Sequence, residues 1–382
     1  MIPSHPSKLP QLGTTIFTTM GQLAQKHGAI NLSQGFPNFD PDPFLVRLVT
    51  KAMKQGHNQY APMAGIPLLC ELITEKIYAQ HGHRYDPYSE ITITAGATQA
   101  IFSIITAFIS AGDEVIVLKP AYDCYEPAIL VNGGIPVHMQ LHAPEYKINW
   151  AELAGKIGPR TKMLIINTPH NPSGTLLSES DMLQLQECVK GTDILILSDE
   201  VYEHIVFDGQ RHQSVSKFAE LAERSFICSS FGKTFHITGW KIGYCVGPGE
   251  LMEEMRKVHQ FNVFCANTPI QHALANYLKD TAPYLELNAF YEAKRNLFLS
   301  GLEGSRFSAI PALGTYFQLL DYSKISNMDD VSFAKKLTIS HKIAGIPISV
   351  FNREGLDEHY IRFCFAKTDD TLKRATDILR KL

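Results

Sequence analysis

The sequence predicts an α/β fold: a mostly parallel, doubly wound sheet in a large domain, with a smaller α+β domain beside it. Three observations predict it. Short β-branched apolar runs alternate with helical segments from Glu90 to Val246, as in successive strand–helix–strand units. The run that leads into Asp199 is apolar without alternation (Ile194–Leu197, ILIL), which suits a strand covered on both faces. The chain is 382 residues long, enough for a large domain and a smaller one. The expected division is 44–282 for the large domain. The small domain takes 283–382 and 1–43, which includes an N-terminal arm.

The elements follow in order. Pro3, Pro6 and Pro10 discourage an early helix, and a short helix is expected over about Thr18–Lys26. Asn31–Pro43 (NLSQGFPNFDPDP) reads as irregular chain. Helices are expected over Phe44–Gln55 and from about Ile66. Glu90–Ala95 (EITITA) reads as a strand, followed by an apolar helix that ends by Gly112. Further strands are expected at Glu114–Leu118, Ile135–Gln140, Lys162–Asn167, from Ile194, at Phe226–Cys228 and at Tyr244–Val246. Ser178 is a candidate N-cap for a helix over 178–191. Helices over Gly249–Phe261 and Pro269–Lys279 are followed by a long one from about Pro283. The remainder predicts two strands around Pro311–Gly314, a helix over Asp329–His341, a strand within Ile343–Phe351, a strand in HYIRFCFAK and a final helix.

Composition narrows the function classes. Apolar residues make up 45% and charged residues 19%, as in ordinary globular proteins. The net charge of −3 gives no electrostatic reason to expect nucleic acid or an anionic membrane. No stretch approaches the roughly 20 apolar residues of a membrane span, and the N-terminal residues show no secretory pattern. The seven cysteines are scattered and never form CxxC, which predicts a reducing, cytoplasmic setting and no thiolate zinc site. The histidines include no HExxH, so no metal is expected.

Several positions carry chemistry. Lys233 stands alone among small and aromatic residues just past a strand-like run. Partial desolvation and a nearby cation would lower its pKa and make its amine nucleophilic. Lys241, between Gly239 and Gly243, is either that cation or a holder of an anion. Gly96, Ala97 and Thr98 lie where a strand feeds a helix, a natural anion site because free N–H groups and the positive dipole end converge there. The segment is not a P-loop, since the GKS/GKT ending is absent. Tyr122 follows the C-terminal end of a strand, where open α/β sheets bind ligands. Asn167–Gly174 (NTPHNPSG) has loop chemistry. Asp199 and Glu200 end an apolar strand, where a carboxylate needs a partner. Arg362 lies among aromatics on a strand, either as a surface arginine on an edge or as a bidentate carboxylate clamp.

SSFGKTFHITGWKIGY (Ser229–Tyr244) resembles the cofactor-lysine motif of the class I aminotransferases, fold-type I enzymes that use pyridoxal 5′-phosphate. The resemblance spans nearly the whole chain, within the branch of methionine and kynurenine–glutamine aminotransferases. It implies that Lys233 binds the cofactor and shuttles a proton, that Asp199 pairs with its ring nitrogen, and that Tyr202 and Asn171 reach its phenolic oxygen. Tyr122 would stack on the ring. The phosphate would lie on Gly96, Ala97 and Thr98 with Ser230 and Lys241, and Tyr60 would reach the phosphate of a partner subunit, implying a homodimer. Arg362 and Gly35 would meet the substrate carboxylate, Asn167 would help position substrate or cofactor, and Phe17 and Phe264 would wall the side-chain pocket. Lys241 departs from the superfamily's arginine, keeping the charge but losing the fork.

The implied activity is transfer of an amino group from methionine or an aromatic amino acid to a 2-oxo acid by a ping-pong mechanism. The same site would permit β-elimination from cysteine conjugates. A non-enzymatic cofactor-binding regulator would need a DNA-binding module, and no basic helix-turn-helix segment precedes the motifs. Nucleotide binding at Gly96 lacks the supporting lysine and serine or threonine.

Overall fold

The computed structural model describes residues 6–382. Met1–His5, with Pro3 of the expected arm, lie outside the described residues. A seven-stranded sheet forms the centre. Its order is Ile91–Thr94, Gly243–Val246, Ser225–Ser230, Leu195–Asp199, Thr161–Asn167, Glu114–Lys119 and Ile135–Gln140. Gly243–Val246 runs antiparallel to both neighbours and every other pairing is parallel. Both faces are covered: Val115 and Val117 enter one apolar cluster, while Ile116 and Leu118 enter the other. That double covering is why these strands read as unbroken apolar runs.

Local chemistry sets the helix ends. Ser178 caps Glu179–Val189 in a reciprocal capping box with Asp181. Asp42 caps Pro43–Lys54, and Gly28 in the left-handed region closes Ile16–His27. Helices Tyr125–Val131 and Trp150–Lys156 are too short for periodicity to reveal.

Three expectations need correction. The two strands around Pro311–Gly314 reduce to one, Phe317–Asp321; Ser308 makes only an isolated bridge to Asp321. Pro311 has no N–H to give a ladder, and Thr315 has φ 66°, which breaks extension. The long helix from Pro283 is two, Ala282–Leu285 and Leu287–Ser300. The strand within Ile343–Phe351 is two short ones, Ile343–Ala344 and Ile346–Pro347.

Tyr360–Cys364 is the middle strand of a separate three-stranded antiparallel sheet, flanked by Ile346–Pro347 and Phe317–Asp321. Ile30–Asn31 pairs in parallel with Ile343–Ala344, so the two ends of the chain meet. This pairing delivers residues 33–36 to the C-terminal edge of the central sheet.

Candidate active site

Strand ends and the segments that follow them surround a cleft of about 370 Å³. All of the expected site residues line it except Tyr60 and Phe264. Those two pair edge-to-face on the surface, with ring centroids 5.1 Å apart, and the Tyr60 side is 82% exposed. Phe264 is also exposed. Neither completes the cleft of its own chain.

Lys233 projects from a short helix, Phe231–Thr234, that follows strand Ser225–Ser230. Its ammonium donates to the Gly35 carbonyl at 3.1 Å and to the Tyr316 hydroxyl at 2.9 Å. Burial lowers its pKa to about 8; Cys364 and Asp199 oppose that shift, and the Arg362 and Lys241 cations add to it. Asp199 ends strand Leu195–Asp199. The Tyr125 hydroxyl donates to its carboxylate at 2.6 Å and the Val201 N–H at 3.3 Å. Burial pushes its pKa up to about 6 against these bonds. A cationic partner in the cleft would draw it back down.

Arg362 is 1% exposed, so the surface-arginine reading is excluded. Its guanidinium lies 3.9 Å from the centroid of Phe317 and 5.3 Å from that of Phe17. It donates to Asn171 Oδ1 at 2.7 Å and to the Ser33 carbonyl at 3.2 Å, while its buried Nε has no partner among the described residues. The Asn171 N–H donates to Asn167 Oδ1 at 2.8 Å, and Asn167 donates to the Asp199 carbonyl at 2.8 Å. These bonds tie the loop to the strand that carries the carboxylate. Tyr202 sits under the lysine, with Nζ 5.7 Å from its ring centroid.

Gly96 caps helix Ala97–Phe108 at φ 82°, a conformation that favours glycine. A Cβ there would lie 3.5 Å from Lys241 Nζ, so the second lysine faces the helix N-terminus. Ser230 lines the same end. Free N–H groups, a dipole end and an ammonium at one place favour a bound dianion on electrostatic grounds. Gly35 is required by contact: a Cβ would meet Phe317 Cζ at 2.6 Å.

Sequence reasoning missed Tyr125, Tyr316, Gln34, Phe36 and Phe317. The first two are partners of Asp199 and Lys233; the others line the cleft. Gln34 and Phe36 flank the glycine already singled out, which was the available signal. Among the described residues, no group of three or more potential metal ligands gathers anywhere.

One lone carboxylate, a perturbed lysine and an anion site around one cleft suit pyridoxal phosphate, and comparison with known proteins decides the family. Residues 27–379 match the family Aminotransferase class I and II. The chain belongs to this family. This aminotransferase is 49% identical to the methionine aminotransferase of Escherichia coli (strain K12), over 98% of each chain. It is 33% identical to kynurenine–oxoglutarate transaminase 1 of Rattus norvegicus, over 98% of this chain and 97% of the other. A crystal structure of an Escherichia coli protein identified as a methionine aminotransferase superposes with a TM-score of 0.97 over 100% of both chains, at 49% identity. The aminotransferase therefore has the fold-type I architecture and uses pyridoxal 5′-phosphate.

Proposed function

We propose that this aminotransferase moves the amino group of methionine or an aromatic amino acid to a 2-oxo acid, with the residues of the cleft in the following roles. Bound pyridoxal 5′-phosphate supplies the carbonyl that receives the amino group and the ring that takes up the electron pair left at Cα. Lys233 is its point of attachment and carries the proton away from Cα. An amine with a pKa near 8 can both accept and return a proton near neutrality. Asp199 holds a proton on the ring nitrogen, while Tyr202 and Asn171 serve the phenolic oxygen and Tyr122 the ring face. Gly96, Ala97, Thr98, Ser230 and Lys241 hold the phosphate. Arg362 grips the substrate carboxylate, assisted by Gly35 and Asn167.

The substrate class rests on the wall of the cleft and on the relatives. Phe17, Phe36, Tyr122 and Phe317 give it an aromatic lining, and Arg362 is the one guanidinium among the described lining residues. A substrate with a second carboxylate would find no matching fork there. The names of the relatives, methionine aminotransferase and kynurenine–oxoglutarate transaminase, point the same way.

Tyr60 and Phe264, exposed and away from the cleft, support a homodimer in which each chain completes its partner's site. The central sheet lies within 91–246 and the smaller sheets within 30–31 and 317–364, which supports a large domain over 44–282 and a small one from both ends. Seven unpaired cysteines fit a cytoplasmic location. Among the described residues no helix is long and apolar enough to cross a membrane.

The single observation that carries the proposal is the cleft that joins Lys233, Asp199 and Arg362. The test is the visible absorption of the purified protein with L-methionine added and no oxo acid. The cofactor band should move to shorter wavelength with one oxo acid released per site and no ammonia, and Lys233→Ala should fail to complete the change. Absence of bound cofactor would overturn the proposal. Bound cofactor indifferent to methionine and to aromatic amino acids would overturn the substrate class alone.

A further inference from the structure

Four successive carbonyls at the edge of the cleft accept from three cations, of which Arg362 and Lys367 are buried. Arg362 donates to Ser33 at 3.2 Å and Lys233 to Gly35 at 3.1 Å. Lys367 donates to Gln34 at 3.4 Å and to Phe36 at 2.6 Å. Lys367 is 2% exposed and forms no salt bridge among the described residues. The Phe36 ring centroid lies 5.0 Å from the ammonium. A buried ammonium solvated only by neutral oxygens is costly, so its retention asks for a reason.

The three cations differ in one respect. Arg362 and Lys233 line the cleft, whereas Lys367 does not. It sits behind segment 33–36, just before helix Asp369–Leu379, whose cap Thr368 donates its N–H to Asn38 Oδ1 at 2.7 Å. On the proposed function, Arg362 turns to the substrate carboxylate and Lys233 to the cofactor. Both bonds to the segment are then in competition with ligands. The bonds from Lys367 are not.

We infer that Lys367 is a positioning residue for amino-acid binding: it holds Gln34–Phe36 against the cleft while Arg362 and Lys233 exchange these carbonyls for ligands. The segment brings Gly35, which has no room for a Cβ, and Phe36, which lines the pocket. This inference rests on the proposed roles of Arg362 and Lys233.

The test uses the cofactor-loaded enzyme with Lys367→Met, which keeps the length and apolar stem but removes every donor. The KM for L-methionine should rise about tenfold while kcat changes less than about threefold, because binding is weakened equally before and at the transition state. Amide hydrogen exchange over residues 33–37 should quicken in the variant, with or without cofactor, and cofactor content should match the wild type. Lys367→Arg should restore most of the KM. If Lys367→Met does not fold, Lys367→Gln carries the same test, with a smaller rise in KM because its shorter amide cannot hold both carbonyls. A wild-type KM with unchanged exchange in the variant that folds would overturn the inference. So would equal losses in kcat, KM and cofactor content, which mark a merely structural role. If the wild type itself ignores methionine, the substrate reading fails, and exchange over 33–37 still judges Lys367.

Discussion

Arg362 donates to Asn171 Oδ1 at 2.7 Å, joining the middle strand of the three-stranded sheet to the loop after strand Thr161–Asn167. The proposed substrate clamp and a proposed cofactor ligand thus hold each other in place. Lysine at 362 keeps the charge but not the fork. Arg362→Lys should raise the KM for the amino acid about ten- to a hundredfold, the loss of a charge-assisted bond of about 1.5–3 kcal/mol. Steady-state kinetics at saturating oxo acid measures it.

Asp199 costs stability in order to act. In the cofactor-free chain its carboxyl is raised from 3.8 to about 6 by burial. The folded state therefore keeps a proton that the unfolded state has lost, and stability falls as pH rises through that interval. Asp199→Asn should make the cofactor-free protein as stable as the wild type or more so at pH 7, with the difference shrinking below about pH 4. Activity should fall about a hundredfold or more. Denaturant midpoints and turnover, measured on the same preparations, check both halves.

Lys233 should titrate early. With a pKa lowered from 10.5 to about 8, mainly by burial, its amine is protonated below pH 8 and free above it. In the cofactor-free protein, acylation of Lys233 followed by peptide mapping should show a midpoint near pH 8, while surface lysines react at higher pH. A midpoint with the surface set would show that the amine is solvated.

Behind the lysine loop lies a buried ion pair. Lys76 meets Glu203 at 2.7 Å and donates to the Tyr244 hydroxyl at 2.7 Å; Tyr244 in turn donates to Glu203 at 2.7 Å. Lys76 holds the Glu203 carboxyl well below the usual range despite its burial. Lys76→Met should destabilise the protein by about 3–5 kcal/mol, because it strands a buried carboxylate. A thermal or denaturant midpoint that stays in place would refute the pairing.

Most of the residues that meet in the cleft were named from the sequence, their roles by resemblance to the class I aminotransferases, and three of them also sit at a strand end or a turn with a local signature. Lys233 follows a strand among small residues, Asp199 ends an apolar strand, and Gly96 opens a helix. Their supporting residues left no such mark. Tyr125 opens a seven-residue helix and reads as packing, yet its hydroxyl holds Asp199. Tyr316 lies in an apolar run, and Lys367 looks like any lysine after a strand.

The sequence by itself determined the strand–helix alternation, the helix cap at Ser178 and the residues able to do the chemistry. These are local: they depend on side-chain periodicity and on which backbone groups lack partners. Only the tertiary structure decided that Arg362 points inward rather than to solvent. That follows from the pairing of Tyr360–Cys364 with strands on both sides, Arg362 standing opposite Leu319 and Ile346. It also decided that Ser33–Phe36 meets Lys233, Arg362 and Lys367, residues roughly 200 to 330 positions away. Contacts across such separations arise from packing and register, in which a slip of one residue turns every side chain to the opposite face.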